Sequence, residues 1–209
     1  MHWWVYYFLF LNSRFFTNLC FQFNVMFSWF RKNKEVNAEK IWIDRVYVNA
    51  AAKENALIEL AKTESDIIFV AWFADTLQHL KLLFAAQNIT EERILLAGRI
   101  DARVKPSSIV FVEHYPLHAQ EKAFLEKCSQ NSIIVFSAMD EPLFKYFGSD
   151  NMLPLVKLLG MKETEAIEHS YVTQAITRGQ EKIAAQVMVD LSATSQAEWM
   201  SKHLPPRKA

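Results

Sequence analysis

Glycine and cysteine are both scarce in this 209-residue sequence, and each shortage excludes a class of site. None of the four glycines opens the Gly-x-x-x-x-Gly-Lys-Ser/Thr loop that cradles nucleotide phosphates. The two cysteines, Cys20 and Cys128, are too few for a disulfide framework or a zinc knuckle. The sequence therefore has no Walker-type phosphate loop, and a reducing compartment is expected.

An excess of either charge is also missing. Lys and Arg number 23 and Asp and Glu number 23, so the formal net charge at pH 7 is zero. Proteins that bind nucleic acid usually carry a basic excess, so the composition predicts no nucleic-acid partner. Apolar residues make up 51% of the chain, which suits one domain with a sizeable core plus appendages.

The first 30 residues differ in composition from the rest of the chain. They contain thirteen aromatic side chains and a single charged one, Arg14, and a basic Arg-Lys-Asn-Lys comes next at 31–34. Three interpretations are open: a membrane-associating segment, a signal peptide that lacks a small-residue cleavage site, or a true start at Met26. The basic flank favours the cytoplasm for the residues after position 34. We therefore treat residues 1–34 as an extension and expect a cytoplasmic protein that can contact a membrane through residues 1–30.

Short apolar runs alternate with helical patterns between residues 40 and 139. The runs lie at 66–73, 93–98, 107–114 and 132–138, and helical spacing appears at 51–63, 74–88 and 119–128. Strands that alternate with helices predict an α/β fold with a mostly parallel sheet and helices over its faces. Six side chains are predicted to be largely buried, namely Ile67, Phe69, Val110, Val112, Ile134 and Phe136.

Helical patterns replace the strands from residue 140 to residue 190. Asp140 is the predicted N-cap of a short helix that ends at Gly148, and Pro154 predicts a second helix that begins near Asn151. A longer helix follows, in which Gly179 either permits close approach of another helix or is simply tolerated. Residues 191–209 are predicted to form a flexible tail.

Two histidines, His114 and His118, lie four residues apart beside Glu113 and Glu121. Histidines at this spacing can share a metal ion on a helix, but Pro116 disfavours a continuous helix there. The sequence therefore predicts no metal site and no catalytic residue.

Four motifs in one order carry a resemblance to a known family. They are "FGSD" at 147–150, "LGM" at 159–161, "ETEAIEH" at 163–169 and "VTQAITRGQEKI" at 172–183. This run closely resembles the SecA preprotein translocase ATPases, at the end of their second RecA-like motor domain and the start of their helical scaffold. A weaker resemblance extends upstream, so that it covers about residues 53–188. The resemblance to this family implies a partial RecA-like sheet of the helicase C-terminal type, a bacterial source and a role in protein transport.

The ATPase motifs of that family are degenerate in this chain. The resemblance places the family's arginine-rich motif, Q-L-R-G-R-A-G-R, on residues 123–130, where Lys127 is the single remaining cation. Lysine does not replace the planar fork of arginine, and loss of such an arginine costs orders of magnitude in phosphoryl transfer. We therefore expect neither ATP hydrolysis nor a bound cofactor.

Two classes of function remain open for such a chain. The first is a non-catalytic SecA-like module that docks on the translocase machinery or on a second copy of itself through Glu163, Glu165, Glu168 and His169. The alternative is a nucleotide-binding half-site of a SecA-type ATPase, which a partner chain would complete and which would bind ATP. A gene remnant that folds but has no task is a third possibility.

Overall fold

The structure, a computed structural model, describes residues 41–100, 108–127, 132–158 and 162–205. These described residues belong to one compact unit of the chain. The predicted extension at 1–34 and its three interpretations lie outside the described residues. Within the described ranges, no helix has both the length and the apolar character needed to cross a membrane.

Five strands form a single sheet in the described part of the chain, and every neighbouring pair of strands is parallel. Their order across the sheet is β1-β5-β4-β2-β3. This arrangement confirms the predicted α/β class and is consistent with a RecA-like sheet. The strands are β1 (Ile41–Tyr47), β2 (Ile67–Ala71), β3 (Ile94–Leu96), β4 (Ser108–Phe111) and β5 (Ser132–Ala138).

Seven α-helices accompany the sheet in the same described ranges. They are α1 (Ala50–Thr63), α2 (Ala74–Ala85), α3 (His118–Lys127), α4 (Pro142–Phe147), α5 (Leu153–Leu158), α6 (Ser170–Ala184) and α7 (Gln196–His203). Short 3-10 turns lie at Glu91–Arg93, Ala97–Arg99 and Ser149–Asn151.

The two faces of the sheet bury different sets of helices because successive strand side chains point to opposite sides. On one face, Leu57 of α1 and Phe84 of α2 pack with Phe69 and Phe136. On the other face, Phe124 of α3 packs against Phe111 with ring centroids 4.9 Å apart. Burying each such large side chain contributes about 1.5–3 kcal/mol. Five of the six predicted core residues are buried, and Ile134 is half-buried.

Strand β1 was not predicted from the sequence. It pairs with β5 along its whole length, from Ile41 opposite Ser132 to Tyr47 opposite Ala138. Two charged residues, Asp44 and Arg45, interrupt its apolar pattern. Asp44 is nevertheless buried, because it finds a charged partner in the folded protein.

The predicted flexible tail at 191–209 is wrong for its described part. Helix α7 forms there, and its N-cap Ser195 accepts a hydrogen bond from the Glu198 N–H at 3.1 Å. Trp199 of this helix is fully buried and packs in a cluster with Phe73 and Leu143. Trp199, with the buried Met200 and Leu204, therefore anchors a segment that contains few apolar side chains.

Asp140 does not cap the helix that follows it. Glu141 occupies the N-cap position of α4 without a side-chain cap bond, and the Asp140 carboxylate instead accepts a hydrogen bond from the Ala50 N–H at the start of α1. The reason is that β1 and β5 are neighbours, so the segments that leave their carboxyl ends meet.

Two further expectations concern the C-terminal helices. Helix α5 begins at Leu153 rather than near Asn151, and Pro154 lies in its first turn, where no internal N–H is lost. Gly179 permits close approach, because a Cβ atom at this position would overlap the ring of Phe147 on α4.

Candidate functional site at the carboxyl edge and the 162–169 segment

The segments that leave the parallel strands collect at one edge of the sheet. In open α/β sheets, ligands bind in the crevice outside this carboxyl edge. Here the edge holds a set of buried charged groups, which includes Asp44, Lys53, Glu113, His114 and Glu121. The contacts of these groups decide whether the edge is available to a ligand.

His114, which follows β4, lies between two carboxylates. Its Nε2 is 3.0 Å from Asp44 Oδ1 and its Nδ1 is 2.9 Å from Glu121 Oε1, and all three side chains are about 1% exposed. Burial disfavours the charged imidazole, but the Glu121 and Asp44 carboxylates outweigh burial and raise the pKa of His114 to about 10. His114 is therefore a buried cation at neutral pH, with Nδ1 hydrogen-bonded to Glu121 and Nε2 at ion-pair distance from Asp44.

Helices α6 and α7 seal this edge with two glutamines. Gln180 of α6 donates to Glu121 Oε2 at 2.8 Å and to the Tyr115 carbonyl at 2.7 Å. Gln196 of α7 donates to the His114 carbonyl at 2.9 Å. The loop after β4 is thus fixed by side chains from both C-terminal helices.

A second charged group surrounds Lys53 of α1. The Lys53 ammonium donates to the Val112 carbonyl at 2.9 Å and forms a buried ion pair with Glu141. Burial opposes the charge on Lys53, but Glu141 outweighs it and raises the pKa of the ammonium. Both partners are largely removed from solvent, so neither is presented to an external ligand.

Glu113 binds the backbone just before α2 and the Thr76 hydroxyl in its first turn. The N-cap residue Phe73 makes no side-chain cap bond, and Glu113 Oε1 instead accepts from the N–H groups of Trp72 at 3.0 Å and Phe73 at 3.1 Å. Glu113 Oε2 accepts from the Thr76 hydroxyl at 2.7 Å. Burial raises the pKa of Glu113 to about 7, against the opposing effects of the Thr76 hydroxyl and the Lys53 ammonium.

The His114–His118 pair, whose spacing is compatible with a metal on a helix, does not lie on one helix. Helix α3 begins at His118, so the His114–His118 pair does not share a helix, as Pro116 predicts. His118 Nδ1 lies 3.6 Å from Glu121 Oε2, whereas His114 is turned between its two carboxylates. No group of three or more His, Cys, Asp or Glu side chains within the described ranges is arranged to hold a metal ion.

The positions that the resemblance assigns to the arginine-rich motif lie on α3. Phe124 is packed against Trp72 and Phe111, and Leu125 contacts the same apolar cluster. Lys127, the last residue of α3, is exposed. Core-packing side chains therefore occupy part of the surface on which that motif would present its cations.

The four predicted partner-binding residues lie together on a short exposed segment. Glu163, Glu165, Glu168 and His169 are all exposed, in the stretch that leads into α6. Two backbone hydrogen bonds hold this stretch against β1, from the Val46 N–H to the Ile167 carbonyl at 3.1 Å and from the Ile167 N–H to the Val46 carbonyl at 2.8 Å.

Side chains complete the attachment of this segment. Glu168 accepts from Arg45 Nε of β1 at 2.9 Å. His169 is the N-cap of α6, its Nδ1 accepts from the Tyr171 N–H at 3.2 Å, and the two rings stack with centroids 5.0 Å apart. The segment therefore presents Glu163 and Glu165 to solvent from a backbone that is fixed at its far end.

Sequence comparison relates a limited region of the chain to known proteins. No protein-family model matches the chain. Over 51 residues, which are 24% of the chain, it is 45% identical to the protein translocase subunit SecA of Acidithiobacillus ferrooxidans. The SecA proteins of Methylococcus capsulatus and Anaplasma marginale are 43% and 41% identical over matches of the same length. The match spans 6% of the length of each relative. This chain therefore contains a SecA-like region that covers about a quarter of its length.

Proposed function

We propose that this protein is a non-catalytic, SecA-like interaction module that docks on a component of the protein-export machinery. The docking surface in this proposal is the exposed segment with Glu163, Glu165, Glu168 and His169. The observation that carries the proposal is the state of the carboxyl edge, whose charged groups are buried and bonded to one another while the acidic segment faces solvent.

The sealed edge supports a non-catalytic role. A nucleotide would need free cations and backbone N–H groups at this edge. The buried cations described there, His114 and Lys53, lie against carboxylates, and Glu113 occupies the N–H groups of Trp72 and Phe73 just before α2. Opening the edge to ATP would break these contacts and leave buried charges without partners, which costs several kcal/mol for each ion.

The exposed segment supports a docking role. Its backbone is held by β1 through Ile167 and by α6 through His169, so little conformational entropy would be lost on binding. Glu163 and Glu165 give it a negative charge, for which a basic patch on the partner is the complementary surface. The SecA proteins that share 51 residues with this chain are described as protein translocase subunits, which points to the export machinery as the place of the partner.

The double substitution Glu163→Lys and Glu165→Lys is expected to weaken binding to purified export components by about tenfold or more. Reversing two charges in the docking surface converts attraction into repulsion at the basic patch. Binding of the full chain to purified SecA and to vesicles that contain the translocon, followed by biolayer interferometry at low and at physiological salt, measures the effect.

A matched control is the double substitution Glu91→Lys and Glu92→Lys. These two residues form a 3-10 turn before β3, at the opposite edge of the sheet from β1. This control is expected to bind as the wild type does. Equal binding by wild type and the Glu163/Glu165 variant, at equal melting temperatures, would contradict the proposed surface.

A further inference from the structure

The connection between α6 and α7 displays apolar side chains to solvent. In residues 185–195, which we call the apolar loop, Met188 is 99% exposed, Val189 65% and Leu191 51%. Burial of such side chains is favourable, so the exposure of all three within four residues is a feature to be explained. This loop is distinct in the chain from the 162–169 segment of the proposed docking surface.

Polar contacts hold the apolar loop in one shape. The Asp190 carboxylate accepts hydrogen bonds from the Tyr115 hydroxyl and from Trp199 Nε1, each at 2.8 Å, and from Gln120 Nε2 at 3.4 Å. The Ser192 carbonyl accepts from the Lys202 ammonium at 2.9 Å. The exposed apolar side chains therefore project from a pinned backbone.

His203, the last residue of α7, makes the contact nearest to these side chains. The Leu191 N–H donates to His203 Nε2 at 2.8 Å, and His203 Nδ1 lies 2.7 Å from the Trp199 carbonyl. The imidazole stacks on the Trp199 ring with centroids 4.1 Å apart. A ring nitrogen accepts a hydrogen bond only when it carries no proton, so these contacts require the neutral imidazole with its hydrogen on Nδ1.

We propose that His203 is a proton-operated latch, closed when the imidazole is neutral, that fixes the Leu191 amide of the apolar loop to α7. Uptake of a proton turns Nε2 from an acceptor into a donor, and the Leu191 N–H then faces a second donor. The Nδ1 contact with the Trp199 carbonyl survives, because Nδ1 is a donor in both states. The latch therefore opens at Leu191 while α7 keeps its place.

The charged and titratable groups around the latch lie on three segments. Asp190 precedes Leu191 in the apolar loop, and its carboxylate is held by Tyr115 and Trp199. Lys202 on α7 is paired with Glu198 at 2.8 Å. Tyr115, from the segment after β4, donates to Asp190, and burial raises the pKa of its hydroxyl.

The proposal is tested by amide hydrogen exchange of the full-length chain, resolved by NMR at the Leu191 amide. Between about pH 7.5 and about pH 5.5, the range in which histidines change charge, the wild-type protection factor is expected to fall. The expected loss at Leu191 is about tenfold, the equivalent of one hydrogen bond. The imidazole shifts of His203, recorded in the same samples, report its protonation.

Two variants sharpen the test. His203→Gln keeps an acceptor oxygen near the place of Nε2 but cannot take up a proton, so Leu191 should remain protected at both pH values. His79→Gln changes an exposed histidine on α2, which pairs with Glu54, and should respond to acid as the wild type does. Unchanged protection at Leu191 while His203 becomes charged would overturn the proposal, as would a His203 that stays neutral to about pH 5.

Discussion

Replacing His114 with alanine is expected to destabilise the protein by about 3–5 kcal/mol at neutral pH, the range found when one partner of a buried ion pair is removed. The substitution leaves Asp44 and Glu121, both about 1% exposed, without the cation that lies between them. Two desolvated carboxylates then face one another, and the remaining donors to Glu121 are Gln180 and the Tyr115 N–H. Chemical denaturation of the full chain, with the free energy of unfolding extrapolated to water, measures the loss.

The matched control for this substitution is His79→Ala. His79 is 62% exposed and pairs with Glu54 on the surface, so its removal should cost less than about 1 kcal/mol. Adding Glu121→Gln to the His114→Ala variant should restore part of the lost stability, because it removes one of the stranded charges. A His114→Ala variant within about 1 kcal/mol of wild type would show that the ion triad is not a main support of the fold.

Glu113 is expected to make stability depend on pH in the opposite sense from a salt-bridged carboxylate. Burial raises its pKa from 4.5 to about 7 in the folded protein, so the folded state holds a proton more tightly than the unfolded chain does. The resulting stabilisation is fully present below pH 4.5 and is lost as the pH rises through about 7. Across this window the unfolding constant contributed by Glu113 should rise about tenfold per pH unit.

Substitution Glu113→Gln tests this pH dependence. The amide oxygen can accept from the Trp72 and Phe73 N–H groups, and the amide nitrogen can donate to the Thr76 hydroxyl, so the contacts with this segment are retained. The variant should therefore gain stability relative to wild type as the pH rises from about 5 to about 8. Substitution of the exposed Glu92 by glutamine should leave the wild-type profile unchanged. Parallel profiles for wild type and Glu113→Gln would contradict the assignment.

Much of the fold follows from local patterns in the sequence. Strands β2, β4 and β5 are short apolar runs, and a run of this kind has few alternatives to a buried strand. Strand β1 is not predicted in this way because Asp44 lies in the middle of its apolar run. An aspartate predicts an exposed position unless its partner is known. That partner, His114, lies 70 residues further along the chain, and only the folded topology brings the two together.

The candidate site was accessible to sequence reasoning in part. A family resemblance points to Glu163, Glu165, Glu168 and His169, and the structure shows that all four are exposed. The sequence does show His114 and Glu121 close together, in the cluster at 113–121. That spacing is compatible with metal ligands and does not by itself indicate an ion triad. No feature of the sequence indicates that Gln180 and Gln196 are buried, because a glutamine on a helix is most often exposed.

The tail illustrates a different limit of sequence reasoning. Residues 191–209 contain few apolar side chains, so composition predicts weak attachment. Trp199 reverses that outcome together with Met200 and Leu204, which are buried in the same cluster. The bond from its indole N–H to Asp190 then gives the preceding loop a fixed position.

The measurement that tests the central claim most directly is the binding and hydrolysis of ATP by the full chain with magnesium, alone and in the presence of the export component it binds. The account predicts no heat of ATP binding by calorimetry and a turnover equal to background in both cases. It also predicts that Lys127→Ala, at the one cation that the arginine-rich motif retains, changes nothing in that assay. Saturable ATP binding or magnesium-dependent turnover would contradict the account. Turnover that appears only with the partner and is lost in Lys127→Ala would establish the half-site alternative.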